Sequence, residues 1–266
     1  MKHPLTRCAS LALLILAAAL SSCRSLPPGR QAPTLYQVST ISALMDGCYD
    51  GVISCRELRE KGDFGIGTFD RLDGEMILIE GAFFQARSDG TVVPADSRMR
   101  IPFASVTRFP ADTSCVLTNA PEFDVLKARL DTLRTSDNQF YAFRVDGLFD
   151  YVKYRSVPAQ SKPYPKLPAV AATQPVFERH ALRGSLIGFW CPQHANTFNV
   201  PGYHLHFISE DRQSGGHLLD CALREGAARA GRLPTLTVSL PQTESFDRFK
   251  TGRTHVQSLN TVESGK

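Results

Sequence analysis

One segment, PGYHLHFISEDRQSGGHLLDC at 201–221, restricts the fold of this chain more than any other. His204 and His206 are two positions apart, so their side chains share a face on a strand and diverge on a helix. The tract SEDRQSGG between them and His217 has the composition of a turn. Folding back between residues 211 and 212 places His217 opposite His206. We therefore predict a β-hairpin that carries three imidazoles on one face.

Three neutral imidazoles that converge in this way are a ligand set for zinc. They leave coordination positions open, which is typical of catalytic zinc sites and not of structural ones. The alternative is three surface histidines on a solvated hairpin face. Because three of the seven histidines fall within fourteen residues, His204 to His217, we predict a metal site.

The chain before this hairpin has mostly the patterns of strands. Apolar and β-branched runs predict strands at 65–71, 76–86, 99–105, 139–145 and 151–154. LDG at 72–74 and SDG at 88–90 are turn signals. Helical patterns are found around 40–45 and, with apolar residues at Phe123, Leu126, Leu130 and Leu133, over 122–134.

Five prolines within residues 156–175 disfavour both helix and central strand, so this stretch is predicted to be a crossing between two halves of the chain. The second half begins with an apolar strand at 184–190 and continues through strands at 203–209 and 217–221. A short helix is predicted at 223–230 and a strand at 235–240. These patterns together predict a β-rich α+β fold.

The N-terminal residues read as a targeting segment. Lys2 and Arg7 precede an apolar run, Ala9 to Leu20, that is too short to span a bilayer comfortably. Leu20-Ser21-Ser22-Cys23 resembles a bacterial lipobox, with cleavage before Cys23 and lipid on its thiol; ordinary secretion is the alternative. We expect a signal peptide at 1–22, a tether at 23–33, and an exported, membrane-anchored lipoprotein on the periplasmic side or the cell surface.

Charge and cysteine content limit the partners of the exported chain. Without residues 1–22, Lys and Arg number 28 (30 less Lys2 and Arg7) against 26 acidic residues, a formal charge of +2. Nucleic-acid binding needs a concentrated basic face, and this balance does not indicate one. Five cysteines remain besides Cys8 and Cys23, an odd number, so at least one thiol has no disulfide partner within the chain.

Four motifs follow one another along the chain. They are LYQVSTISALMDGCYDG from residue 35, GDFGIGTFDRLDGEM at 62–76, RSVPAQSKPYPKL at 155–167, and the histidine hairpin. In this order they resemble the alpha-acetolactate decarboxylase family. The resemblance covers most of residues 35–266. It implies two similarly built halves, 34–157 and 158–266, each with a mixed β-sheet and with the zinc site on the C-terminal half.

The resemblance also implies roles for individual residues. His204, His206 and His217 match the zinc ligands, and Glu75 and Glu263 match two acidic residues of the metal site. Arg155 matches an arginine that faces the substrate, and Thr68 matches a threonine that lines the site. Without the resemblance, Glu75 would be interpreted as a solvated hairpin residue and Glu263 as a chain-terminal residue. Arg155 would be interpreted as a surface cation and Thr68 as a common β-strand residue.

The implied activity is the zinc-dependent decarboxylation of (S)-2-acetolactate to (R)-acetoin and CO2 through a metal-stabilised enediolate, a step of acetoin biosynthesis in the butanediol pathway. Zn2+ would be the only cofactor, and either glutamate would supply the proton. Two alternatives remain: another three-histidine metalloenzyme of cupin type, or a non-catalytic zinc-binding lipoprotein. We expect a small-molecule substrate, no nucleic acid, and contact with a membrane only through the lipid on Cys23. A homodimer is left open.

Overall fold

The structure is a computed structural model that describes residues 32–250 and Val262. The predicted signal peptide at 1–22, nearly all of the tether and Glu263 lie outside the described residues. Within residues 32–250, no helix is long and apolar enough to cross a membrane. The described strands are β1 Thr34–Val38, β2 Ile53–Ser54, β3 Phe64–Thr68, β4 Glu75–Ile79, β5 Ala82–Ala86, β6 Val92–Pro94, β7 Arg100–Ile101, β8 Phe103–Thr107, β9 Thr113–Ala120, β10 Phe140–Arg155, β11 Val176–Cys191, β12 Gly202–Ser209, β13 Gly215–Leu233 and β14 Thr235–Ser239.

The described helices are short and lie between these strands. The predicted helix over 122–134 is confirmed as α3, which places Leu126 and Leu130 in the core of the second sheet. The β-rich α+β class is confirmed as well. The helices are α1 Ile41–Met45, α2 Cys55–Arg59, α3 Phe123–Asp131, α4 Leu167–Ala171 and α5 Glu244–Arg248, with single 3-10 turns at Asp70–Leu72 and Gln193–Ala195.

The first sheet has seven strands in the order β14-β1-β8-β3-β4-β5-β6. It is mixed, because β1 runs parallel to β14 and the other neighbours are antiparallel. The predicted strand over 76–86 is two strands, β4 and β5. Glu80 and Gly81 both have positive φ, 54° and 76°, as a tight two-residue hairpin turn requires.

The second sheet has the order β10-β11-β12-β13-β9, and all its pairings are antiparallel. β10 also pairs with β13, so the four strands β10 to β13 close on one another. β9 and β10 come before residue 157, and β14 comes after it but lies in the first sheet. The sheets therefore draw strands from both sides of the crossing at 156–175.

Two expectations for this sheet were wrong. The strands predicted at 139–145 and 151–154 are parts of one 16-residue strand, β10. The helix predicted at 223–230 is the middle of β13, which is paired with β10 on one edge and with β9 on the other. These two ladders override the helical preference of its alanines, although alanine is the strongest helix former, because strand pairing on both edges decides the conformation. The proline-rich crossing also contains α4, which has a proline in its first turn, the helical position where proline is tolerated.

The two sheets pack against each other through one apolar layer. Leu35, Ile66 and Ile77 of the first sheet lie in the same buried cluster as Ile187 and Ile208 of the second. His206 is two residues before Ile208 on β12, so its side chain is on the same face, the side of the second sheet that faces the first. Because the two sheets pack face to face, the histidine hairpin lies against the first sheet, which contains Thr68 and Glu75.

The five cysteines of the described residues are all free thiols. Four of them are buried, and Cys115 on β9 is partly exposed. Burial raises the pKa of the Cys48 and Cys55 thiols to about 11, so both are neutral near pH 7. None of these cysteines lies among the three histidines.

Candidate active site

The histidine hairpin forms in the predicted register. His206 of β12 is directly opposite His217 of β13, and the chain turns back between them. The Ser209 hydroxyl organises the turn by accepting from the backbone N–H groups of Gln213 (3.2 Å) and Ser214 (2.9 Å). Arg212 takes a left-handed conformation, with φ 61°, where the chain reverses. The turn therefore fixes which pair of histidines meets across the two strands.

The three histidines converge at one point. One ring nitrogen from each of His204, His206 and His217 lies within 4.8 Å of the others. Their ring centroids are 5.0 to 5.5 Å apart, and all three side chains are buried. The alternative of a solvated surface face is wrong for these residues. One ion at about 2.0 to 2.1 Å from each nitrogen would hold any two of them within about 4.2 Å, so the imidazoles would close slightly around a bound ion.

Hydrogen bonding assigns the tautomer of His206. Its Nδ1 lies 3.0 Å from the backbone oxygen of Met76, which can only accept, so Nδ1 carries the proton and donates. The lone pair on Nε2 then points away from that bond. Among the described residues Nε2 is buried without a hydrogen-bond partner, an arrangement that fits a metal ligand whose other nitrogen is oriented by a carbonyl.

Two of the imidazoles are held neutral by their surroundings. Burial, and then the positive charge of Arg155, lowers the pKa of His204 to about 3. Burial, followed by His204 and Arg155, holds the pKa of His206 well below its ordinary value. A neutral imidazole is the form that binds a metal ion, so the site is prepared for one near pH 7.

Glu75 and Arg155 reach the histidines from two different strands. Glu75 begins β4, and Arg155 ends β10, directly opposite His217. Arg155 Nη1 donates to Glu75 Oε1 at 2.8 Å, and Glu75 Oε2 lies 3.6 Å from His206 Nε2. Both side chains are buried, with 5% and 7% of their surface exposed. Arg155 Nε is buried without a hydrogen-bond partner in residues 32–250.

Thr68 contacts the turn that leads to Glu75. Thr68 is on β3, directly opposite Glu75 of β4, and its hydroxyl donates to the backbone oxygen of Gly74 at 2.7 Å. The side chain also lines the cavity beside the histidines. Thr68 is therefore brought to the site, and its hydroxyl fixes the backbone just before Glu75.

A small cavity of about 30 Å³ joins these groups. The cavity is also lined by apolar residues, here called the apolar wall, that sequence reasoning did not identify. Leu72 belongs to this wall and is held in the left-handed conformation, with φ 63°. The residues of the wall are Ile41, Leu44, Leu72, Phe103, Val157 and Leu167.

Glu263, the second predicted acidic residue, lies outside the described residues, and its role stays a prediction. Its neighbour Val262 is described and buried. Val262 packs in one apolar cluster with Ile41, Leu44 and Leu167 of the cavity wall.

The geometry can be set beside known proteins. The sequence pattern of alpha-acetolactate decarboxylase matches residues 35–251. The chain belongs to the alpha-acetolactate decarboxylase family. The alpha-acetolactate decarboxylase of Methanosarcina mazei is 44% identical over 229 residues, which cover 86% of this chain and 80% of that protein. The protein of the same name from Bacillus licheniformis is 40% identical over 220 residues, covering 83% of this chain and 87% of that protein.

Solved structures of the alpha-acetolactate decarboxylase family share this fold. The crystal structure of alpha-acetolactate decarboxylase from Bacillus subtilis strain 168 matches with a TM-score of 0.84 and 39% identity, over 86% of this chain and 99% of that one. A Staphylococcus aureus protein of unknown function, described as similar to alpha-acetolactate decarboxylase, also matches with a TM-score of 0.84, at 29% identity, over 86% of this chain and 100% of that one. Membership of the family makes the chain an enzyme of the carboxy-lyase class.

Proposed function

We propose that this enzyme decarboxylates (S)-2-acetolactate to (R)-acetoin and CO2 with the help of a zinc ion. The observation that carries the proposal is the meeting of three buried histidines, Glu75 and Arg155 at one cavity. Family membership supplies the substrate, because relatives 40 to 44% identical are named alpha-acetolactate decarboxylase.

The described residues fit a zinc ion. His204, His206 and His217 would hold it through their ring nitrogens, and Glu75 Oε2 lies beside His206 Nε2. When bound, zinc supplies a Lewis acid that polarises the hydroxyl and ketone oxygens of the substrate, so that no organic electron sink is needed. An all-nitrogen histidine set suits zinc, and a decarboxylation requires no change in the oxidation state of a metal.

Arg155 is suited to bind the carboxylate of the substrate. Its guanidinium presents several donors in a plane, and only the Nη1 bond to Glu75 is formed in the described part of the chain. The bond between C2 and the carboxylate carbon breaks, and its electron pair stays on the substrate as an enediolate. The fixed positive charge of Arg155 then stabilises the negative charge that remains.

The last step needs one proton on C2 of the enediolate, delivered to a single face. Glu75 reaches the cavity from the first sheet, opposite the histidine hairpin, and a proton carried on its Oε2 would approach from that side. Glu263 is the second candidate for the proton donor. Delivery from one side of the cavity would give a single acetoin enantiomer.

The proposal includes an exported enzyme that is attached to the membrane by lipid on Cys23 and connected by residues 23–33. The lipobox-like Leu20-Ser21-Ser22-Cys23 supports this location. The enzyme would then act on acetolactate that has left the cell. No nucleic-acid partner is proposed, and a homodimer stays an open expectation.

The family comparisons do not favour the two alternatives. A cupin-type oxygenase would need a redox-active metal and O2. A non-catalytic zinc-binding lipoprotein would have no use for a buried arginine beside the metal ligands.

One experiment separates these readings. The purified protein is incubated with racemic 2-acetolactate with and without O2 and with and without a zinc chelator, and acetoin is followed by chiral chromatography. The proposal predicts one acetoin enantiomer, formed equally without O2 and lost with the chelator. Formation that depends on O2 would support the oxygenase, and no acetoin from folded, zinc-loaded protein would refute the proposed function.

A further inference from the structure

Helix α1, which carries part of the apolar wall, is attached to the loop before the histidine strand. The first N–H groups of a helix have no partner within the helix and need acceptors from elsewhere. The N–H of Ile41 donates to the backbone oxygen of Phe198 at 2.9 Å, and the N–H of Ser42 donates to that of Thr197 at 3.4 Å. Ser42 Oγ donates to the same Thr197 oxygen at 3.1 Å. The position of the first turn of α1 therefore depends on the position of this loop.

The loop is fixed in turn by the buried side chain of Asn199. Its Nδ2 donates to Gln37 Oε1 at 2.7 Å and to Ser105 Oγ at 2.8 Å, and its Oδ1 accepts from the N–H of Val200 at 2.8 Å. Gln37 lies on β1 and Ser105 on β8, neighbouring strands of the first sheet. Asn199 thus joins the loop before β12 to the first sheet.

Gln37 completes the network. Its side chain is fully buried, and its Nε2 donates to the backbone oxygens of Ser39 and Phe198. The Phe198 oxygen therefore accepts both from Gln37 and from the first residue of α1. Every donor of the two amide side chains has a partner, and removal of one group would leave others buried and unsatisfied.

The network is connected along the chain to two sides of the cavity. On one side α1 contributes Ile41 and Leu44 to the apolar wall. On the other side the loop continues into β12, which carries His204 five residues after Asn199. The distance between the apolar wall and the histidines therefore depends on the Gln37–Asn199 pair.

We propose that Asn199 and Gln37 are positioning residues that set the width of the cavity and so limit the size of the alkyl group on C2 of the substrate. This inference rests on the proposed function, because it names the substrate whose alkyl groups meet the wall. 2-Acetolactate carries a methyl group on C2 and a second one on its ketone. An apolar site of fixed width discriminates between substrates that differ by one methylene, by about 10- to 200-fold in kcat/KM.

The test compares full-length wild type with Asn199→Ala, each with its bound metal, on 2-acetolactate and on its homologue with ethyl in place of methyl at C2. With α1 released, KM for 2-acetolactate rises about tenfold and kcat changes less than about threefold, because the wall supplies binding and not chemistry. The ratio of kcat/KM for the ethyl homologue to that for 2-acetolactate rises at least about fivefold. A merely destabilised protein would lose activity on both substrates in proportion and keep this ratio.

Tyr141→Phe is the matched control. It also removes one buried hydrogen-bonding group, the hydroxyl that accepts from the Thr135 N–H at 3.1 Å, but Tyr141 packs in the apolar cluster that contains α3. This variant should keep the wild-type ratio of the two substrates. If Asn199→Ala does not fold, Ser105→Ala removes one acceptor of Asn199 and should shift the ratio in the same direction by a smaller factor.

A second readout is independent of turnover. Amide hydrogen exchange at Ile41 and Ser42 should be about tenfold faster in Asn199→Ala than in wild type, and unchanged in Tyr141→Phe. An unchanged substrate ratio in a folded Asn199 variant, or unchanged exchange at Ile41 and Ser42, overturns the inference. A wild type that forms no acetoin refutes the proposed function instead, and the exchange rates still decide whether Asn199 holds α1.

Discussion

Replacing Glu75 by Gln tests the buried ion pair on which the site is built. Arg155 Nη1 and Glu75 Oε1 are 2.8 Å apart, and both side chains are almost completely buried. Removing one charge of such a pair leaves the other in a poorly solvated place, which typically costs 3–5 kcal/mol. Because Gln keeps an acceptor for Arg155, we expect the lower end, about 3 kcal/mol, or a fall in melting temperature of about 6–12 °C.

The measurement is urea unfolding of metal-free Glu75→Gln beside metal-free wild type. Asp150→Asn is the matched control, because Asp150 also pairs with an arginine, Arg224, but both side chains are about half exposed. An exposed pair contributes at most about 1 kcal/mol. If Glu75→Gln destabilises the protein no more than Asp150→Asn, the buried pair does not stabilise the fold more than an exposed pair does.

The same substitution separates metal binding from proton delivery. The three histidines remain, so the metal content of Glu75→Gln should stay near that of wild type. Acetoin formation should slow by about 100-fold or more, because a positioned proton donor commonly contributes 10²- to 10⁴-fold. Wild-type turnover in this variant would remove Glu75 from the mechanism.

Three further predictions follow from burial and hydrogen bonding. His217→Ala should reduce bound zinc, measured by plasma mass spectrometry, from one per chain to near zero, whereas His180→Ala on the surface should not; equal zinc in both variants would contradict the assigned ligands. Burial, and then Arg155, lowers the pKa of His204 to about 3, against 6.5 in the unfolded chain. Below pH 6.5 the folded metal-free protein therefore binds fewer protons than the unfolded chain. Its stability should be full above pH 6.5 and fall by at least about 1.4 kcal/mol per pH unit towards pH 4 in urea unfolding, and a flat profile over that range would contradict the shift. In a chain of residues 34–266, Ellman's reagent should titrate one thiol rapidly at pH 8, Cys115, and five after denaturation; fast reaction of several thiols in the folded protein would contradict their burial.

The histidine hairpin could be predicted from sequence because two local rules act together. Spacing by two puts His204 and His206 on one face of a strand, and the turn composition fixes where the chain reverses, so His217 has one partner. Glu75, Arg155 and Thr68 needed the family resemblance. Nothing in the local sequence shows that the connection between β3 and β4 and the end of β10, which are distant along the chain, meet at the same cavity.

The apolar wall and the Gln37–Asn199 network could not be predicted for a similar reason. Leu44 and Leu167 are ordinary core residues in sequence, and only the packing of α1 near α4 makes them neighbours of a histidine cluster. The segment at 223–230 shows the opposite problem. Its local composition suggests a helix, but pairing on both edges of β13 decides the conformation.

Zinc titration of the metal-free protein tests the central claim most directly. Acetoin formation and bound zinc are measured on the same samples as zinc is added. The three-histidine site predicts no acetoin from metal-free protein, and a linear rise in both quantities that stops at one zinc per chain. Acetoin formed at the full rate by metal-free protein, or saturation of zinc without any acetoin, would contradict it.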